Sequence, residues 1–180
     1  DKTGTLTQNQ MTVVQGWVYN DKNQTALLNT LKCGDQAEYD AFIDKCSKID
    51  PAVKQLLMDN ALLNNEAYLT TNDEGKERGV GSALDIALLR WAKLLHVDYH
   101  TVREKYPLLS AESADDALGI VRRFPFHSNR KRASVLVRLG NGKYRLYVKG
   151  APEMVIRLCD AVALQDGSVK QLTGDFQEDS

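Results

Sequence analysis

Long apolar runs are missing from these 180 residues. No stretch approaches the ~18 consecutive apolar residues that a membrane-spanning helix needs. Net charge is nearly missing too, since 23 Lys and Arg stand against 24 Asp and Glu. A chain so balanced is not drawn as a whole to nucleic acid or to an anionic membrane surface. Cysteine is scarce: Cys33, Cys46 and Cys159 are odd in number and form no Cys-x-x-Cys pair. That argues for a reduced, cytosolic setting. His96 and His100 lie four apart, but no Glu sits beside the first, and Asp98 between them reads as a turn or cap. No zinc site is expected there. A signal peptide is lacking, and so is the initiator Met; the chain opens on Asp1-Lys2-Thr3. It is expected to be a piece of something larger.

What is present suits one soluble domain of ordinary size, or one domain with an appendage: 43% hydrophobic residues for a core and 26% charged residues for a surface. Residues 1–10 are small and polar and read as loop. Met11 to Tyr19 is β-branched and aromatic, a strand. Asp21 to Gly34 reads as loop with a short helical piece. Helical spacing begins at Asp35 and restarts at Asp50-Pro51, with Asp50 as N-cap and Pro51 in the first turn. Thr70 to Gly81 reads as a charged loop. Leu84, Ala87, Leu88, Trp91 and Leu95 recur at three- and four-residue steps, which predicts a helix over Ala83 to Leu95.

A short helix from Asp98 to Tyr106 is stopped by Pro107. Three strands are predicted at Ile120–Phe126, Ala133–Leu139 and Lys143–Val148, the last two joined at Gly140-Asn141-Gly142, a hairpin signal. Ala151 to Leu158 reads as helix, Ala161 to Leu164 as a strand, and the acidic tail from Thr173 as frayed. The fold class is α+β, an antiparallel β-sheet flanked by helices.

Four segments carry chemistry. Asp1-Lys2-Thr3-Gly4-Thr5-Leu6-Thr7 resembles the phosphorylation motif of P-type ATPases, within the haloacid dehalogenase superfamily. Asp1 would accept a phosphoryl group, splitting one hard transfer into two. Thr3 stands where the superfamily's phosphatases carry a second Asp, which implies a long-lived aspartyl phosphate. Gln8 to Val13 then resembles the family's hinge strand. The second segment, Phe126-His127-Ser128-Asn129-Arg130-Lys131, implies Phe126 stacked on adenine, with Ser128, Arg130 and Lys131 beside the nucleotide. By composition alone Phe126 would be core.

The third segment, Lys149-Gly150-Ala151-Pro152-Glu153, is similar to a family signature in which Gly150 lets the backbone approach the base and Lys149 adds a cation. Pro152 and Glu153 also suit a plain helix start. The fourth is Gly81-Ser82-Ala83-Leu84-Asp85-Ile86-Ala87-Leu88, where Asp85 replaces a Glu that approaches the adenine amino group. Asp85 is one methylene shorter, and a solvated acid in a first helical turn is the competing reading.

Two signals are set aside. Thr173-Gly174-Asp175 echoes a motif of the family's phosphorylation domain, but no apolar strand precedes it. The basic residues Arg122, Arg123, Arg130, Lys131 and Arg132 lie within strands of a nearly neutral chain, so nucleic acid is not the expected partner.

The resemblance implies a remnant of the phosphorylation motif and hinge at 1–10 and a nucleotide-binding domain at 11–180. ATP would be bound there, with Mg²⁺ shared between the nucleotide and the phosphorylation site. The partners implied are the phosphorylation, actuator and membrane domains of a parent pump, at the cytoplasmic face of a membrane. The piece itself would be monomeric and would bind nucleotide without hydrolysing it. Thr7 to Gln15, His96 to Arg103 and Phe126 to Lys131 look most like plasma-membrane-type calcium pumps, and sodium/potassium-type pumps share several of these residues. A free-standing phosphotransferase using Asp1, and a regulatory domain without nucleotide binding, are the alternatives.

Overall fold

Asp50 and Pro51 start the helix around which the rest is arranged. The Asp50 carboxylate accepts from the backbone N–H groups of Ala52 and Val53, and Pro51 opens the first turn of α2 (Pro51–Leu63). The computed structural model describes residues 11–14, 16–19, 25–28 and 36–172. Ahead of α2 lie β1 (Gly16–Tyr19), β2 (Thr25–Leu28) and α1 (Gln36–Ser47). After it come β3 (Tyr68–Thr71), β4 (Glu77–Val80), α3 (Ala83–Leu94) and α4 (Tyr99–Lys105). Three long strands follow, β5 (Gly119–His127), β6 (Arg132–Gly140) and β7 (Lys143–Gly150). The last elements are α5 (Pro152–Val155), a 3-10 turn (Ile156–Leu158), β8 (Ala161–Ala163) and β9 (Val169–Gln171).

α2 is apolar on two sides, and each side meets a different partner. Val53, Met58 and Leu62 pack with Phe42 and Cys46 of α1, Leu89 and Ala92 of α3, and Tyr99 of α4. Leu63 packs instead with Ile120, Val135, Val137 and Tyr147 of the three-stranded sheet. A helix wedged between a helical layer and a sheet removes apolar surface from water twice, which is the main source of its stability. Polar groups buried or half-buried at the contact fix its angle to the sheet. Asn60 Nδ2 donates to the Val148 carbonyl at 2.8 Å, and the Tyr147 hydroxyl donates to Asp59 Oδ2 at 3.0 Å.

β5, β6 and β7 form an antiparallel sheet in that order. The predicted hairpin is present: Asn141 and Gly142 both hold positive φ, 50° and 68°, the pair that a tight turn between right-twisted strands demands. Asp98 caps α4 by accepting from His100 and Thr101 N–H.

Several expectations are corrected. A single sheet was expected, whereas the described strands form four small antiparallel sheets, three of them two-stranded hairpins. β2 occupies part of the segment read as loop and helix, because Ala26 to Leu28 pair with β1 in register. Met11 to Val14 form no strand. The loop expected at Thr70 to Gly81 contains the β3–β4 hairpin. Its turn is closed by Asn72, whose side chain accepts from Lys76 N–H, and by Gly75 at φ 77°. The helix expected from Ala151 keeps one α-helical turn and ends as 3-10. Thr173-Gly174-Asp175 lies outside the described residues.

Candidate functional site

A cavity of about 1010 Å³ opens where the C-terminal end of α2, the first turn of α3 and the β5–β6–β7 sheet meet. Its wall gathers Asp85, Phe126, Ser128, Lys131, Lys149 and Gly150, residues drawn from three separate sequence segments. Each is set there by local chemistry. Ser82 caps α3 by accepting from Asp85 N–H at 3.1 Å, which starts the helix on this wall and places Asp85 in its first turn. Lys149 Nζ donates to Asp85 Oδ1, closing an ion pair whose side chains are only 20% and 16% exposed.

Phe126 sits near the end of β5, where the register against β6 shifts between Phe124 and His127. Pro125 falls inside that irregularity, on the edge strand, where its missing N–H costs no ladder bond. The bulge leaves Phe126 65% exposed. A large ring so exposed is not core, and apolar surface left open beside a cavity suits contact with a flat ligand.

Lys131 closes the β5–β6 turn at φ 48°, and its ammonium lies 3.8 Å from Glu153 Oε1. Gly150 has a reason that sequence reading missed. A Cβ there would come within 2.5 Å of the Lys131 carbonyl and 2.6 Å of Arg132 Cβ. The glycine therefore serves close approach of protein backbone to protein backbone. Arg130 is not on the cavity wall; its guanidinium donates to the Pro125 carbonyl at 2.9 Å and braces the turn. Asp1 and Thr3 lie outside the described residues.

The floor holds groups that no motif announced. Asn64 and Asn65 follow α2 directly and are 5% and 2% exposed. Asn64 Nδ2 donates to the Ala133 carbonyl and Asn65 Nδ2 to the Asp85 carbonyl. Arg123 lines the cavity and donates to the Leu63 carbonyl. Burial pushes its guanidinium below the ordinary arginine value, against the pull of Glu66. The available signal for these residues was a helix ending in three polar residues, Asn64-Asn65-Glu66, where a C-terminus leaves carbonyls unsatisfied.

The wall thus combines an open aromatic ring, a carboxylate acceptor and ammonium donors around an apolar space. That set can stack a planar heterocycle, read its edge, and attract an anionic tail. A profile of the P-type ATPase cytoplasmic domain N matches residues 52–179, the part of the chain that builds the cavity.

The chain belongs to the P-type ATPases.

The chain is 33% identical over 173 residues to the calcium-transporting ATPase PAT1 of Dictyostelium discoideum, which takes in 96% of this chain and 13% of that protein. It is 35% identical over 182 residues to calcium-transporting ATPase 2 of Cryptococcus neoformans, 93% of this chain and 12% of that one. To plasma membrane calcium-transporting ATPase 4 of Bos taurus the identity is 31% over 172 residues, again 93% and 12%. The chain therefore spans about an eighth of the length of these relatives. Among the described residues of this P-type ATPase chain, no helix is long and apolar enough to cross a membrane.

Proposed function

We propose that this chain is the ATP-binding part of a cation-transporting P-type ATPase, and that the transported cation is calcium. The observation that carries the binding reading is Phe126, an exposed ring on the same cavity as the Asp85–Lys149 pair. Adenine would stack on Phe126, with its edge towards Asp85 and Lys149. Ser128 and Lys131 would attend the ribose and phosphates. Calcium is proposed from the names of the relatives, several of which are calcium-transporting ATPases.

Residues 1–10 are read as the phosphorylation motif and hinge, and 11–180 as the nucleotide-binding domain. In the full-length pump, at the cytoplasmic face of the membrane, the γ-phosphate would pass to Asp1. Mg²⁺ would arrive with the nucleotide and screen the transferring group, chemistry that belongs beside Asp1. Phosphorylation, actuator and membrane parts are the proposed partners, and this piece alone would be a monomer.

Titration of the 180-residue chain with ATP and ADP, followed by amide NMR shifts, tests the reading. Shifts centred on Phe126, Asp85 and Lys149, with little dependence on magnesium, are expected. Binding that vanishes with a chelator, or shifts confined to other surfaces at millimolar nucleotide, would overturn it.

A further inference from the structure

Arg103 lies on α4, outside the cavity wall, and its guanidinium directs its donors to three backbone carbonyls and, at a longer 3.4 Å, to Asn65 Oδ1. Nε donates to Leu62 O at 3.1 Å, one terminal nitrogen to Ala67 O at 2.8 Å and the other to Asn65 O at 2.9 Å. Among the described residues it forms no ion pair. Burial, with Arg123 nearby, depresses its guanidinium below the ordinary value, against the pull of Tyr99 and Asp85; a lysine in its place would keep that direct pull and lose only the fork. Its remaining company is the face of the Tyr99 ring, 5.0 Å from the guanidinium carbon to the ring centre, and a half-buried cation so placed is costly unless the carbonyls it binds need it. Here they do: they are the unsatisfied acceptors at the end of α2 and in the turn that follows. The planar fork of arginine reaches three of them at once, which a lysine cannot.

The turn so held touches α3 once and the residue leading into its cap once. Asn65 Nδ2 donates to the Asp85 carbonyl at 2.9 Å, while Asn65 Oδ1 accepts from Ala67 N–H at 2.9 Å. Ala67 also packs against Gly81, just ahead of the α3 cap; a Cβ on Gly81 would come within 2.7 Å of it. The first turn of α3 is therefore registered on a loop that Arg103 fixes.

We propose that Arg103 is a positioning residue for purine recognition, acting through Asn65 on Asp85. This rests on the nucleotide-binding reading above. Arg103 touches no ligand; it sets where the Asp85 carboxylate stands relative to Lys149.

A double-mutant cycle tests it, with ADP and GDP affinities measured on the 180-residue chain. Arg103→Lys keeps the charge and loses the fork, and should weaken ADP at least about fivefold while narrowing its preference over GDP. In an Asp85→Ala background the same change should cost less than about twofold, because its route is already cut. Equal losses in both backgrounds, or no loss in either, would overturn the proposal. Asn65→Asp provides a second arm should Arg103→Lys not fold. It retains the acceptor for Ala67 N–H and removes the donor to Asp85 O, and the same cycle is expected. The carboxyl ¹³C resonance of Asp85 in nucleotide-free protein must move in both variants. An unmoved resonance overturns the positioning role even if no nucleotide binds. Absence of ADP binding by the unaltered chain, with the resonance moving, would instead sink the nucleotide reading alone.

Discussion

Lys149 donates to the carboxylate of Asp85 across 64 residues of sequence, tying the end of β7 to the first turn of α3. Both side chains are largely shielded from water, so the pair offers a ligand a fixed acceptor and a fixed donor side by side. An amino group on a purine edge would find the first, and a ring nitrogen or carbonyl the second.

Asp85→Asn and Asp85→Ala should therefore weaken the preference for ATP over GTP. Leaving the other group without its partner costs ~1–3 kcal/mol. Competition titrations with the two nucleotides check this. Identical discrimination in both variants would reduce Asp85 to a helix-start acid.

Phe126→Ala should separate binding from folding. The ring is 65% exposed, so its loss should change stability by no more than ~0.5 kcal/mol. Stacking worth ~1–3 kcal/mol should disappear, and Phe126→Trp should keep most of it. Denaturant melts beside calorimetry with ADP give both numbers. A destabilised variant that binds normally would make Phe126 a core residue.

Tyr147 should make the domain lose stability in alkali. Burial pushes its phenol from 10.0 up to about 12, opposed by Arg145 and reinforced by Asp59. Between those values the folded chain holds a proton that the unfolded chain has released, so stability falls as pH rises through that window. The contribution is complete below pH 10 and amounts to at most ~3 kcal/mol. Tyr147→Phe should flatten this slope. It should also destabilise at neutral pH by ~1–3 kcal/mol, because Asp59, 3% exposed, loses a donor. Urea melts at pH 8 and pH 11 on both proteins decide the matter.

Asp1→Asn in the parent pump should abolish phosphorylation and transport while leaving nucleotide affinity within about twofold. Phosphoryl transfer depends on in-line placement and charge screening at the γ-phosphate, whereas the cavity is proposed to engage the base. The 180-residue chain, incubated with γ-labelled ATP and magnesium and quenched in acid, should retain no label. Label that is lost with Asp1→Asn would show catalysis to be self-contained.

Much of the cavity was legible because its chemistry sits in short contiguous runs. Phe126 to Lys131 and Lys149 to Glu153 each combine a strand end with a turn, and the runs converge when β6 pairs with both neighbours. Asp50-Pro51 and Asp98 were legible because a cap acts within three residues of itself. Arg103 was not, since its carbonyl partners lie 36 to 41 residues away. Backbone acceptors leave no mark in side-chain composition. The β3–β4 hairpin escaped for a different reason: its strands are four residues long and none of their residues is buried, so no apolar alternation announces them.

Gly150 and Lys131 meet backbone to backbone, and the two positions should tolerate change very unequally. Lys131 contributes its carbonyl to that contact, which any residue possesses, while its side chain extends to Glu153. Position 131 can drift among residues that accept a left-handed turn, with asparagine and glycine the easiest. Position 150 admits no side chain at all without parting β7 from the start of β6. In a library of random variants selected only for folding, position 150 should come back as glycine and position 131 as a mixture.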